Sequence, residues 1–106
     1  MDTHHYDFSR KSICFFGGFR VRDREGEDIT DLFTPTLKSL LILLILYTVK
    51  DEKGLSGNKL LQTLWFDKTE ESAKNNRNVY MSKLRSILER IGDVRIVNQK
   101  GFWSIC

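Results

Sequence analysis

Residues 56–91 read SGNKLLQTLWFDKTEESAKNNRNVYMSKLRSILERI, two capped helical runs separated by a short turn. Ser56 is a helix cap in front of an amphipathic run, residues 57–65, whose inward positions are Leu60, Leu61, Leu64 and Trp65. Phe66-Asp67-Lys68 makes a brief turn. Thr69 caps a longer helix with Glu70 and Glu71 in its first turn, where the helix dipole favours acids. That helix continues to Ile91 and stops at Gly92, a residue suited to the position after a helix end.

Upstream, Thr34 caps and Pro35 starts a helix over 35–49. Leu37, Leu40, Leu41, Leu44 and Tyr47 form one stripe, and Ile42, Leu43, Ile45 and Leu46 fill most of the rest. A helix apolar nearly all round is covered on several sides, so this one is expected at the centre of the core. Before it, residues 12–16, 19–22 and 27–32 read as three short strands, with a turn over 23–26. After the long helix, residues 94–98 and 102–105 read as a hairpin turning at Gln99-Lys100-Gly101. Residues 1–11 are polar and unpatterned, a tail outside a domain spanning 12–106. The expected class is α+β: a small N-terminal antiparallel sheet, three helices and a C-terminal hairpin. Two helices joined by a short turn and followed by a hairpin make a winged helix-turn-helix.

Composition narrows the function classes. Of 106 residues, 41% are hydrophobic and 29% charged, enough apolar mass for one core and too balanced for disorder. The longest apolar run is Leu40 to Tyr47, about eighteen residues being needed to span a bilayer, so no membrane contact is expected. Residues 1–12 carry Asp2, Asp7, Arg10 and Lys11 and no apolar core of a signal peptide, which points to the cytoplasm. Cys14 and Cys106 lie far apart and read as buried free thiols. His4 and His5 have no ligand cluster near them, so neither a metal nor another cofactor is expected. No Ser/His/Asp or Cys/His set is present, and Gly17-Gly18 lacks phosphate-loop spacing. Asp51-Glu52 and Glu70-Glu71 read as solvated or dipole-complementing acids, so the chain is not expected to be an enzyme.

The formal net charge of +3 hides an asymmetry. From Lys74 onward the bases are Lys74, Arg77, Lys83, Arg85, Arg90, Arg95 and Lys100, against the acids Glu89 and Asp93, a net of +5. Residues 1–73 carry a net of −2. Basic character concentrated in one third of a chain suggests a face that meets an anion, most often nucleic acid.

Winding the long helix at about 100° per residue separates its faces. Ala73, Tyr80, Met81, Leu84, Ile87, Leu88 and Ile91 fall on the core side. Opposite lie Asn75, Asn78, Val79, Ser82, Lys83 and Ser86, with Arg85 and Arg90 on the flanks. A face meant only for water favours Glu and Lys; this one prefers Asn and Ser, which weaken the helix but donate and accept hydrogen bonds. Asn pairs bidentately with adenine, Lys with guanine, and a surface valine meets a thymine methyl. Asn75-Asn76-Arg77-Asn78 occupy the half of the helix that reaches base edges. Lys74, Arg85, Arg90 and Lys100 suit phosphates. Arg77 projects toward the apolar side, and both a phosphate and an internal carboxylate are open to it.

The ordered set Leu60-Leu61-Gln62-Thr63-Leu64-Trp65, Glu71-Ser72-Ala73-Lys74-Asn75-Asn76-Arg77-Asn78-Val79-Tyr80 and Met81-Ser82-Lys83-Leu84-Arg85-Ser86-Ile87-Leu88 resembles the OmpR/PhoB-type winged-helix effector domains, and within them the SARP-type branch. The run from Ile13 to Val21, Gly26 and Thr34-Pro35 are similar as well, so the resemblance covers about residues 12–105. It implies a bacterial transcription regulator that binds double-stranded promoter DNA, with Lys83 and Arg85 at basic recognition-helix positions and Val79 at the DNA surface. The tip Gln99-Lys100-Gly101 would meet the backbone or minor groove. The family's usual Gly-x-Gly-Tyr is here reduced to Lys100-Gly101-Phe102-Trp103, leaving Phe102 and Trp103 both open as the core aromatic. A sensor or regulatory domain is expected on a separate segment. The alternative from another class is a protein-interaction module whose partner is RNA polymerase or another regulator subunit.

Overall fold

Thr34 begins the central element of the fold, its hydroxyl accepting a hydrogen bond from the Leu37 amide at 3.4 Å. The helix that follows, α1 (Pro35–Lys50), buries Leu37, Leu40, Leu41, Leu44 and Ile45. Leu40, Leu41 and Leu44 are wholly enclosed, each contributing about 1.5–3 kcal/mol of burial free energy. The computed structural model describes residues 13–14, 18–51, 53–92 and 94–106. Within them α1 packs against both other helices and against two strands of the C-terminal sheet, the central place its sequence predicts. The covering is incomplete, however: Leu46 and Val49 are exposed.

Two further helices follow, α2 (Gly57–Leu64) and α3 (Glu70–Ile91), capped by the side chains of Ser56 and Thr69. Ser56 Oγ accepts from the Lys59 amide at 3.1 Å, and Thr69 Oγ1 from the Ser72 amide at 3.2 Å. At the other end of α3 the Gly92 amide donates to the Leu88 carbonyl. The element types and limits agree with the sequence reading to within a residue.

The strands need more correction. Strands β1 (Ile13–Cys14) and β2 (Arg20–Val21) pair antiparallel, Ile13 opposite Val21. Residues 12, 15 and 16 of the first expected strand lie outside the described residues. The third expected strand, 27–32, is reduced to an isolated bridge between Arg22 and Asp28 and a 3-10 turn over Thr30–Leu32. Asp28 ends the extended run there, because its carboxylate accepts from the Thr30 amide at 2.9 Å and turns the backbone. Thr30 Oγ1 in turn accepts from the Val21 amide.

The second sheet has three strands in the order β3-β5-β4, where β3 is Leu55–Ser56, β4 Ile96–Gln99 and β5 Phe102–Ile105. Strand β3, between α1 and α2, has only two residues and leaves no periodicity to detect. Gln99 pairs directly with Phe102, so the turn is Lys100-Gly101 alone. Both residues have positive φ, 53° and 83°, as a two-residue type I′ hairpin requires. Trp103 and Ile105 point to the core and Phe102 is half-buried, so Trp103 is the core aromatic. Thr48 locks the sheet to α1: its hydroxyl donates to the Leu44 carbonyl and accepts from the Ile105 amide at 2.8 Å.

Among the described residues no helix is long and apolar enough to cross a membrane. Cys106 is a free thiol as expected but is exposed rather than buried. The expectations for the Cys14 side chain, for His4 and His5, and for the tail over 1–11 lie outside the described residues.

Candidate nucleic-acid interface

The long helix α3 has one face in the core and one in water. Ala73, Met81, Leu84, Ile87, Leu88 and Ile91 are buried, and Tyr80 is half-buried. The Tyr80 ring stacks on Trp65 with centroids 5.9 Å apart and an interplanar angle of 26°. That contact fixes how α3 leaves α2, and with it the direction in which the opposite face looks.

Asn75, Asn78, Val79, Ser82, Lys83 and Ser86 are all exposed, on the side opposite the core residues. Their spacing of three and four residues makes them one strip along the helix. Val79 is 50% exposed in the middle of it, an apolar side chain with polar neighbours. Lys83 Nζ stands 5.3 Å from the Tyr80 ring centroid, which places its charge beside the strip. Ser82, Lys83 and Ser86 also share a shallow groove with Leu32 and Thr34, which precede α1, and with Leu37 in its first turn.

Not every expected residue is free to reach outward. Asn76 donates from Nδ2 to the Ser72 carbonyl at 2.9 Å, spending its side chain on its own helix. Lys74 pairs with Glu70 at 3.4 Å on the exposed helix surface. Arg90 is about 22 Å along the helix from Asn75 at 1.5 Å per residue, and its guanidinium meets Asp23 at 3.4 Å.

Of the two alternatives open to it, Arg77 does not take the internal carboxylate. Its Nε and Nη2 donate to Asn78 Oδ1, both at 3.4 Å, and no carboxylate pairs with it among the described residues. Its Nη1 faces Gly57 at the start of α2. Arg85 lies over Trp103, 5.7 Å from the ring centroid, so it stands at the seam between α3 and the hairpin.

Gln99 and Lys100 are exposed at the hairpin turn. With Phe102, Ser104 and Lys53 they line a groove on the outer face of the sheet, Lys53 Nζ lying 5.7 Å from the Phe102 ring centroid. Lys53 is a basic residue that sequence reasoning missed, since nothing in a loop before Gly54 marks it as neighbour to the hairpin. Asn98 was missed too. It sits opposite Trp103 in the register and is exposed, on the same side of the sheet as that core residue. The alternation of the strand contained that signal.

The combined site is a polar strip on α3, flanked by basic side chains at the hairpin. Comparison with protein-family models, with curated proteins and with solved structures finds no match for this chain.

Proposed function

We propose that this chain is a winged helix-turn-helix module that binds double-stranded DNA as the effector part of a bacterial transcription regulator, of the OmpR/PhoB type and nearest its SARP-like branch. In this reading α3 lies in the major groove and the hairpin of β4 and β5 is the wing on the backbone or minor groove. The observation that carries it is the exposed strip of Asn75, Asn78, Val79, Ser82, Lys83 and Ser86. These side chains match base edges, and the Asn, Ser and Val among them are poor choices for a solvated helix face. Arg85, at the seam with the hairpin, and Lys100, at its turn, supply charge for phosphates. Arg90, already paired with the buried Asp23, contributes least.

The test is titration of the folded chain with mixed-sequence duplex at several salt concentrations. With about 4–6 phosphates contacted, log affinity should fall against log salt with a slope of roughly −4 to −5. Absence of duplex binding at low salt, with the fold intact by circular dichroism, would remove the proposal. The reading that then takes its place is a protein-interaction module contacting RNA polymerase or another regulator subunit. Exposed Leu46 and Val49 on α1 and Phe66 after α2 favour that second reading, but it leaves the Asn and Ser strip unexplained.

A further inference from the structure

Gly57, the first residue of α2, sits where three elements meet. A methyl group added to it would stand 3.9 Å from Arg77 Nη1, 4.0 Å from Trp103 Nε1 and 3.6 Å from the Gly101 carbonyl oxygen. The missing side chain therefore leaves a notch between the start of α2, the middle of α3 and the hairpin.

Two of the three atoms nearest to that methyl position are side-chain donors. Trp103 is nine-tenths buried, 9% exposed, and its indole N–H has no hydrogen-bond acceptor among the described residues. An unpartnered buried donor is costly and implies that something else supplies the acceptor. Arg77 spends Nε and Nη2 on Asn78 and turns Nη1 to the same place. In the first turn of α2 the Gly57 amide is taken by the Gly101 carbonyl at 2.9 Å and the Lys59 amide by Ser56 Oγ. The Asn58 amide between them is left without an intrahelical partner, at the positive end of the helix dipole. The atom nearest to the added methyl, the Gly101 carbonyl oxygen, is an acceptor, and its lone pair is directed at the Gly57 amide.

From this geometry we infer that the notch over Gly57 is a seat for one backbone phosphate of the DNA duplex, held by Arg77 Nη1, the Trp103 indole N–H and the Asn58 amide. The inference rests on the DNA-binding reading above and deepens it. Arg77 bonds Asn78, so a phosphate in the seat also orients a side chain of the base-reading strip. The partner is the sugar–phosphate chain, whichever bases follow, so the seat sets register and carries no sequence preference.

The experiment is a duplex titration of the whole chain followed by nitrogen–proton NMR of the two indole groups, with Trp65 at the far end of α2 as internal control. The Trp103 indole proton should move downfield as it gains an anionic acceptor, while that of Trp65 stays. Gly57→Ala fills the notch from a helical position where alanine is favourable, so the thermal midpoint should be kept or raised. Its duplex affinity should nevertheless fall about tenfold, with the salt slope shallower by about 1. Arg77→Gln should act similarly. If the wild-type chain binds duplex while the Trp103 indole stays in place and both variants remain within about twofold, the seat is overturned and the DNA reading stands. If the folded wild-type chain binds no duplex, both fall together.

Discussion

Arg90 Nη2 lies 3.4 Å from Asp23 Oδ2, joining the last turn of α3 to a turn sixty-seven residues earlier in the chain. The Asp23 side chain is only 3% exposed, and its other oxygen accepts from the amides of Glu25 and Glu27 at 3.0 and 2.9 Å. The Arg24 amide donates to the Arg90 carbonyl as well, so backbone and side chain meet at one point. The N-terminal turn is thereby fixed to the end of the proposed recognition helix.

The two partners should not contribute equally to stability. Asp23→Ala leaves two turn amides without their acceptor and should cost about 2–4 kcal/mol. Arg90→Ala removes a guanidinium that is about half exposed and should cost no more than about 1 kcal/mol. Urea denaturation midpoints of the two variants check the order, and an Arg90 effect equal to the Asp23 effect would contradict it.

Glycines in the same backbone region should differ by what surrounds them. Gly54 has φ of 93°, and a side chain there would collide with the Trp103 carbonyl oxygen in β5. Gly26 has φ of 84° with open space around it. Gly26→Ala should therefore cost about 1 kcal/mol, the backbone penalty alone. Gly54→Ala should cost about 3 kcal/mol or more, because β3 must also move off β5. Thermal unfolding of both variants makes the comparison.

Base reading and phosphate contact predict different patterns of loss. Asn78→Ala or Lys83→Ala should weaken a preferred duplex by about 1–3 kcal/mol and a random one much less. Lys100→Ala, at the hairpin turn, should weaken both alike. Equal losses on both duplexes for Asn78→Ala would show that this residue does not read bases.

Asp28 gives a pH signature. The hydroxyl and amide of Thr30 hydrogen-bond its carboxylate and hold its pKa below the ordinary carboxylate value, with the Arg20 and Arg22 charges acting the same way. A carboxyl whose pKa is depressed on folding stabilises the fold above its unfolded value, and that contribution is lost as the pH falls through the folded one. Asp28 lies at the surface, so the effect is small. Wild type and Asp28→Asn should differ in unfolding midpoint at neutral pH and converge below about pH 4. A difference that grew on acidification would have the wrong sign.

What the sequence made legible follows from the physics of each element. The helices were readable because caps and apolar periodicity are local, and Thr34, Ser56 and Thr69 all accept the amide bonds their positions predict. The core side of α3 followed from the same periodicity. Strand β3 was not readable, since two residues form a strand only because β5 lies beside them. The expected strand over 27–32 failed because a single carboxylate, Asp28, turns the chain more strongly than the neighbouring apolar residues extend it. Side-chain engagement was the least visible layer. Asn76 bonding Ser72, Arg77 reaching Gly57 and Arg90 meeting Asp23 depend on rotamers and distant partners.

Selection from a random-sequence duplex pool with the folded chain measures sequence recognition itself. A defined motif should be recovered, whose selectivity Asn78→Ala relaxes and whose binding added salt weakens. A pool that remains unenriched after repeated rounds, with the fold intact, would contradict it.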